Sequence, residues 1–341
     1  MMNEEKKMNS RSVLLNVILW AMYRNKFFYE LLSERMRRKA MQQQRRGDES
    51  QVDAKAILDG NNLRLDGEWS FRGKETIFKA SDASGSHLVL KTGRIDPFQV
   101  RLFGLAKEME SKLCFKVPVI LKSGDGWFLM EYIEGVPLND FYDEKPGRCV
   151  RVSKEIADSY QVLIAEMLRR QSIGNLFEEG REWLFSRLGL WSKSIVDVGL
   201  IDFSLVQKLE HEFREVIARK GQEFFEWSHG NVIGDHILVS GNDFYLLDLN
   251  VVPRAGRGYH DFLRALDFMF LKSSDEQGIF ESIPRWVRQY LSEFDENEVR
   301  LVLAFRFIGI LGWDILHNQV EYVRGNLKEK KELALQFIRR T

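Results

Sequence analysis

Between Ser228 and Leu249 the chain reads SHGNVIGDHILVSGNDFYLLDL, and side chains able to do chemistry cluster at its turns. His229 precedes Gly230 and Asn231, Asp235 and His236 follow, and Asp248 closes a second apolar run. The runs Ile237 to Val239 and Tyr245 to Leu247 read as two short strands around a polar turn, Ser240 to Asp243. A carboxylate and an imidazole at the mouths of such a hairpin can hold a cation, and an amide can orient a hydroxyl. Phosphoryl transfer asks for this equipment, because it needs little covalent work and much positioning of nucleophile, metal and phosphates. Singly these residues are ordinary turn formers. Their order, with Asp261 beyond, points to a site.

That order resembles the catalytic and metal-binding segments of the aminoglycoside phosphotransferase and choline-kinase-like family, which read H-G-D-x-x-x-x-N, a hairpin, then an aspartate. The resemblance implies an α+β, two-lobed protein-kinase-like fold, with an N-terminal antiparallel sheet plus helix and a mainly helical C-terminal lobe. It also implies ATP- and Mg2+-dependent phosphate transfer to a hydroxyl of a small molecule or sugar. Asp248 falls on the family's magnesium-binding aspartate, His236 on its metal-binding asparagine and Asn231 on its proton-accepting aspartate. His229 and Asp261 would hold the loop, Asp261 as a brace, and Asp235 is an extra carboxylate beside the site. An amide cannot act as a base, and general-base help is worth about 10²–10⁴-fold. A loose phosphoryl-transfer transition state depends more on alignment and charge neutralisation. The expectation is therefore a phosphotransferase of reduced activity. The alternative is a pseudokinase that serves as a nucleotide- or protein-binding module.

Upstream, TIFKASDASGSHLVLK reads as two extended segments around a turn, with Thr76, Phe78 and Ala80 alternating against Leu88 and Leu90. The second ends on Lys91, where the family keeps a lysine for the α and β phosphates; a strand-end lysine is otherwise commonplace. A helix is expected over about 97–113, with Leu102, Leu105, Met109 and Leu113 near one face and Pro97 in its first turn. Glu108 or Glu110 can reach back to Lys91, with Glu108 preferred. Two strands are expected around the Gly124-Asp125-Gly126 turn, Val117 to Leu121 and Trp127 to Tyr132. FLMEYIEGVPL resembles the family's inter-lobe linker, which puts Met130, Glu131, Tyr132 and Ile133 along the nucleotide pocket. The phosphate-covering loop, with Gly67 and Gly73, is the weakest match.

Beyond Asp248, Asp261 precedes an apolar helical pattern, and Arg254 and Arg257 lie between them, where they can meet an anionic substrate or simply face solvent. Residues 149–225 and 277–341 read as helices, the latter rich in aromatics such as Trp286, Phe305, Phe307 and Trp313. Aromatics at helical spacing are core more often than ligand contacts, so the acceptor is not legible.

At 341 residues the chain can bury a large core, and its 50 Lys and Arg balance 50 Asp and Glu, so no global field favours nucleic acid. Two cysteines without metal-type spacing, Cys114 and Cys149, suit a reducing compartment, and a cytoplasmic protein is expected. The first sixty residues fall outside the kinase-like pattern. An apolar run from Ser12 to Tyr23 and a basic stretch reaching Arg46 suggest an amphipathic helix for peripheral contact with the inner membrane surface, or one packed on the protein itself. The run is too short to span a bilayer. The expected organisation is this segment (1–50), a nucleotide-binding lobe (51–135) and a catalytic and acceptor lobe (136–341).

Overall fold

A computed structural model of the chain describes residues 53–70, 75–93, 95, 97–317 and 325–341. The expected N-terminal amphipathic helix and the middle of the expected phosphate-covering loop, residues 71–74 with Gly73, lie outside the described residues.

The N-terminal part begins with a short helix, α1 (Ala54–Gly60), whose first turn is capped by the Asp53 carboxylate accepting from Ala56 N. Strands β1 (Arg64–Ser70), β2 (Glu75–Ser81), β3 (His87–Gly93), β4 (Ile120–Gly124) and β5 (Trp127–Glu131) form one antiparallel sheet in the order β1-β2-β3-β5-β4. Helix α2 (Pro97–Glu108) connects β3 to β4. The central strand β3 is buried on both faces, as period-2 geometry requires of a strand covered from two sides. Leu90 joins Ala80 and Leu129 against Leu58 of α1. Val89, Phe128 and Met130 face Leu102, Phe103 and Ala106 of α2 in the main core. Lys91, in register with Phe128 of β5, is therefore carried on the inner face of the sheet.

After β5 the chain crosses to a mainly helical lobe, pairing β6 (Val136–Pro137) with the hairpin of β8 (Ile237–Ser240) and β9 (Asp243–Leu246). Helices α3 (Pro146–Arg170), α4 (Leu176–Asp197) and α5 (Phe203–Lys220) precede this hairpin. Helices α6 (His260–Lys272), α7 (Glu276–Tyr290), α8 (Glu296–His317) and α9 (Leu327–Arg340) follow it. A two-stranded sheet of β7 (Phe225–Ser228) and β10 (Val252–Ala255) ties together the two ends of the segment that carries residues 229–251. Helices α4 and α8 approach closely because Gly309 and Gly312 present no side chain; a Cβ on Gly312 would lie 2.6 Å from the Trp191 Cβ. One continuous apolar core runs from Val89 in the sheet to Ile338 in the last helix. Trp286, Phe305 and Phe307 belong to it, as expected of aromatics at helical spacing, whereas Trp313 is exposed.

The architecture is the two-lobed α+β arrangement expected. Three local expectations change. Helix α2 ends at Glu108 rather than near Leu113, and a 3₁₀ turn (Glu110–Lys112) replaces its last part. The strand expected at 117–121 lies at Ile120–Gly124, beside the turn that joins it to β5. Strand β3 continues two residues past Lys91, because β2 and β5 both pair with it there.

Candidate functional site

The turn after β7 is made by Gly230 at φ 75°, a left-handed conformation suited to glycine. A Cβ there would also strike Val252 at 2.5 Å and the Arg254 guanidinium at 2.8 Å. Asp261, in the first turn of α6, accepts from His229 N at 2.9 Å and Gly230 N at 2.7 Å, one backbone donor per carboxylate oxygen. Burial pushes the Asp261 carboxyl up, and the His229 imidazole and the two backbone donors oppose it.

His229 is fully buried. Its Nε2 donates to the carbonyl of Asp248 at 2.7 Å, while Nδ1 accepts from Asn231 N at 3.3 Å, an arrangement satisfied by the neutral Nε2-protonated ring. Tyr160 of α3 packs its ring 4.9 Å from His229, and its hydroxyl donates to the carbonyl of Asn250 at 2.7 Å. Tyr142 accepts from Gly234 N at 3.1 Å at the other end of the loop. The loop that carries the polar residues is thus clamped at both ends by buried groups, which is how an irregular segment keeps a fixed geometry.

Asp248 lies just beyond β9 and meets the sheet across the cleft. Lys91 Nζ donates to its Oδ1 at 2.9 Å, and Gln99 Nε2 of α2 donates to the same oxygen at 2.8 Å and to Leu249 O at 2.9 Å. Burial alone would raise the Asp248 carboxyl; the Lys91 ammonium, by its charge and its hydrogen bond, leads the groups that outweigh it and hold the carboxyl at about 2. His236, in the 3₁₀ turn that opens β8, is held below its ordinary value by burial, and its Nδ1 is enclosed without a hydrogen-bond partner.

These two residues fit a divalent cation. Among the described residues both side-chain donors to Asp248 converge on Oδ1, which leaves Oδ2 for a metal, and Nδ1 of His236 is enclosed nearby without a partner. Among the described residues no group of three or more His, Cys, Asp or Glu side chains forms a self-sufficient cage. Phosphate oxygens and water would complete the shell, as is usual for magnesium.

Asn231 Oδ1 accepts from Arg264 Nε of α6 at 2.9 Å. Arg264 Nη1 donates in turn to Asp267, which also accepts from Arg306 Nε of α8 at 2.6 Å. Asp235 is 3.3 Å from the Lys272 ammonium. Met130 is buried in the sheet core, and Glu131 N donates to Val119 O at 3.0 Å. The Tyr132 ring carries Lys79 Nζ at 4.2 Å from its centroid, and Ile133, two residues beyond β5, is half-buried.

The structure brings together Lys91, His229, Asn231, Asp235, His236, Asp248 and Asp261. It does not bring Glu108 to Lys91. Glu108 is the last residue of α2 and pairs with Arg170 Nη1 at 2.8 Å on the exterior, and Glu110 pairs with Lys107 at 2.9 Å. Gln99, two helical turns nearer the start of α2, makes the contact to the Lys91–Asp248 pair instead. Gln99, Arg264, Asp267 and Arg306 were missed at the sequence level. Only an acid-base spacing on one helix face, Arg264 with Asp267, was available as a signal.

A cavity of about 540 Å³ opens on the far side of the catalytic loop, between α4, α6 and α8. Asn231, Asp235 and His236 line one wall, and Trp183, Trp191 and Phe268 provide apolar surface.

Solved structures share this fold. The chain matches a thermostable mutant of aminoglycoside phosphotransferase APH(4)-Ia in ternary complex with ADP and hygromycin B, with TM-score 0.55 and 9% identity, over 85% of this chain and 98% of that one. The same phosphotransferase with AMP-PNP and hygromycin B gives TM-score 0.52 and 10% identity, over 85% and 98% of the two chains. A choline kinase from Cryptosporidium parvum Iowa II aligns at TM-score 0.47 and 13% identity, over 85% and 91%. The fold is therefore the two-lobed, protein-kinase-like one of the aminoglycoside phosphotransferase structures. No protein-family model and no curated protein sequence matches the chain.

Proposed function

We propose that the protein is an ATP- and Mg2+-dependent phosphotransferase acting on a hydroxyl of a small molecule or sugar, with a rate lowered by the amide at position 231. The observation that carries this reading is the Lys91–Asp248 pair, 2.9 Å apart and 157 residues apart in sequence, with His236 beside Asp248 on the same hairpin. A buried ammonium and an ionised carboxylate in that relation suit a nucleotide's phosphates and their cation. The fold supports the reading, and the neighbour bound to ADP and hygromycin B holds both a nucleotide and a small acceptor.

In this reading Lys91 binds phosphate oxygens, and Asp248 with His236 holds the cation, which neutralises charge developing on the phosphates. Met130 through Ile133 lie along the adenine side. Asn231 orients the attacking hydroxyl from the cavity wall while Arg264 fixes the amide; the proton leaves with the transferred group or to water. His229 and Asp261 keep the loop in place.

The test is thermal stabilisation by ATP with and without Mg2+, on the wild type and on Lys91→Ala. Stabilisation that needs Mg2+ and disappears in the variant supports the reading. No stabilisation in either protein removes the nucleotide site. Binding without turnover on any hydroxyl acceptor, and without gain in Asn231→Asp, leaves the pseudokinase.

A further inference from the structure

The cavity behind the catalytic loop is rich in guanidinium groups that its own carboxylates do not neutralise. Asp267 is shared by Arg264 and Arg306. The two acids on the wall are each taken by a lysine, Asp235 by Lys272 at 3.3 Å and Asp314 by Lys331 at 2.7 Å. Arg187 and Arg254 also line the cavity, and among the described residues neither has a carboxylate within ion-pair distance.

Arg254 is the sharper case. Its Nε is enclosed without a hydrogen-bond partner, and its Nη1 donates only to the carbonyl of the adjacent Pro253 at 2.8 Å. Burial, followed by the field of Arg306, pushes its guanidinium down to about 9, with Arg187 and Arg264 adding to the depression and Asp261 opposing it. Asp261 acts on it only through space: its two oxygens accept the His229 and Gly230 N–H groups, and no hydrogen bond joins it to Arg254. Burial likewise depresses Arg187, one turn along α4 from Trp183. Enclosed cations without counter-ions are costly, and their persistence is explained when a ligand brings the negative charge.

The surroundings define the rest of that ligand. The Arg254 guanidinium lies over Trp183, 4.2 Å from the ring centroid, and abuts Gly230, the neighbour of Asn231. Trp191, held by the close α4–α8 approach, lies beside Arg187, whose guanidinium is 5.9 Å from its ring centroid. An anion on these two arginines would sit next to the amide that orients the hydroxyl, with indole faces for a ring or short chain.

We infer that the acceptor is itself anionic, a phosphate monoester bearing free hydroxyls, with its phosphate seated on Arg187 and Arg254 and its hydroxyl presented at Asn231. A monoester brings a charge of about −1.5 to −2, which matches two unneutralised guanidiniums where a carboxylate would match one. This inference rests on the phosphotransferase reading for the hydroxyl at Asn231, but the anion seat does not depend on nucleotide.

The experiment is calorimetric titration of the full chain, free of nucleotide, with glucose 6-phosphate, mannose 1-phosphate and dihexanoyl phosphatidic acid. Glucose and kanamycin serve as uncharged and polycationic counterparts, and Mg2+-ADP is titrated in parallel. The expected result is that at least one phosphate ester binds at least tenfold more tightly than glucose and kanamycin. Arg254→Met and Arg187→Met should each weaken that binding tenfold or more, leave ADP affinity unchanged, and melt no lower than the wild type. A tighter lipid ester assigns a lipid source, and a tighter hexose phosphate a free sugar phosphate. The inference is overturned if kanamycin or glucose binds as well as every ester, if the variants bind esters undiminished, or if Arg254→Met weakens AMP-PNP but not the esters, which would give the guanidinium to the nucleotide. Ester binding without ADP binding would instead remove the phosphotransferase reading and leave the anion seat.

Discussion

Arg264 Nε donates to Asn231 Oδ1 at 2.9 Å, so the residue at the catalytic-loop position is held by a guanidinium whose other arm is anchored on Asp267. The contact fixes which face of the amide looks into the cavity. In the proposed function a hydroxyl there would meet an oriented dipole with the Arg264 charge behind it.

That relationship sets the outcome of Asn231→Asp. The new carboxylate would take the Arg264 hydrogen bond as an ion pair, which lowers its basicity while keeping it ionised. The expected gain in ATP turnover is about 10- to 100-fold, the lower part of the range for general-base help. Steady-state ADP release measures it, and an unchanged rate would show that position 231 is not where the hydroxyl proton is handled.

If the proposed function holds, the imidazole at position 236 sets metal preference. Nitrogen ligands favour manganese over magnesium, which prefers oxygen. Nucleotide binding by the wild type should therefore saturate at a lower concentration of Mn2+ than of Mg2+. His236→Asn should narrow or reverse that order, and identical cation titrations of the two proteins would take His236 out of the metal site.

Glu226 gives the stability a distinct pH dependence. Its carboxyl is buried in β7, accepts from Gly258 N at 2.9 Å, and is pushed up to about 8 by burial and by the nearby Asp261. The folded state keeps its proton while the unfolded chain has already lost it above an ordinary glutamate pKa. The folded state then binds more protons than the unfolded one, and stability falls as pH rises from about 4.5 to about 8. Glu226→Gln removes that slope and should stabilise the protein at pH 8 by roughly 2–4 kcal/mol. Urea melts at pH 5.5 and pH 8 test it; parallel pH slopes in both proteins would rule it out.

Asp261→Asn changes one of two acceptors into a donor that faces a backbone N–H. Leaving one buried N–H unpaired costs about 1–3 kcal/mol, and the opposed donors add to that. The expected result is a loss of about 2–4 kcal/mol in urea unfolding together with weaker Mg2+-dependent nucleotide binding, since His229 sits between the brace and Asp248. Full stability in the variant would mean that the loop is held by Tyr142 and Tyr160 alone.

The hairpin, Asp248, Asp261 and Lys91 were legible because their information is local. Alternation, turn residues and short fixed spacings mark two strands and the polar groups at their ends whatever lies elsewhere. The helices of the second lobe were legible for the same reason, through their apolar period. The partner of Lys91 was not. Helical periodicity shows that Gln99 and Glu108 both belong to one helix, but the direction in which that helix leaves β3 decides which of them meets the cleft. The expectation of Glu108 failed on that orientation.

By itself, the sequence determined the order of elements and which chemical groups stand at strand ends and turns, because backbone propensity and hydrophobic period act over a few residues. Only the tertiary structure decided which charges are neutralised. Lys91 finds Asp248 across 157 positions, and Arg306 finds Asp267 across 39. Arg254 and Arg187, from β10 and α4, line one cavity, each over its own indole ring. Neutralisation depends on distances between elements packed in three dimensions, and the linear spacing of residues carries no record of those distances.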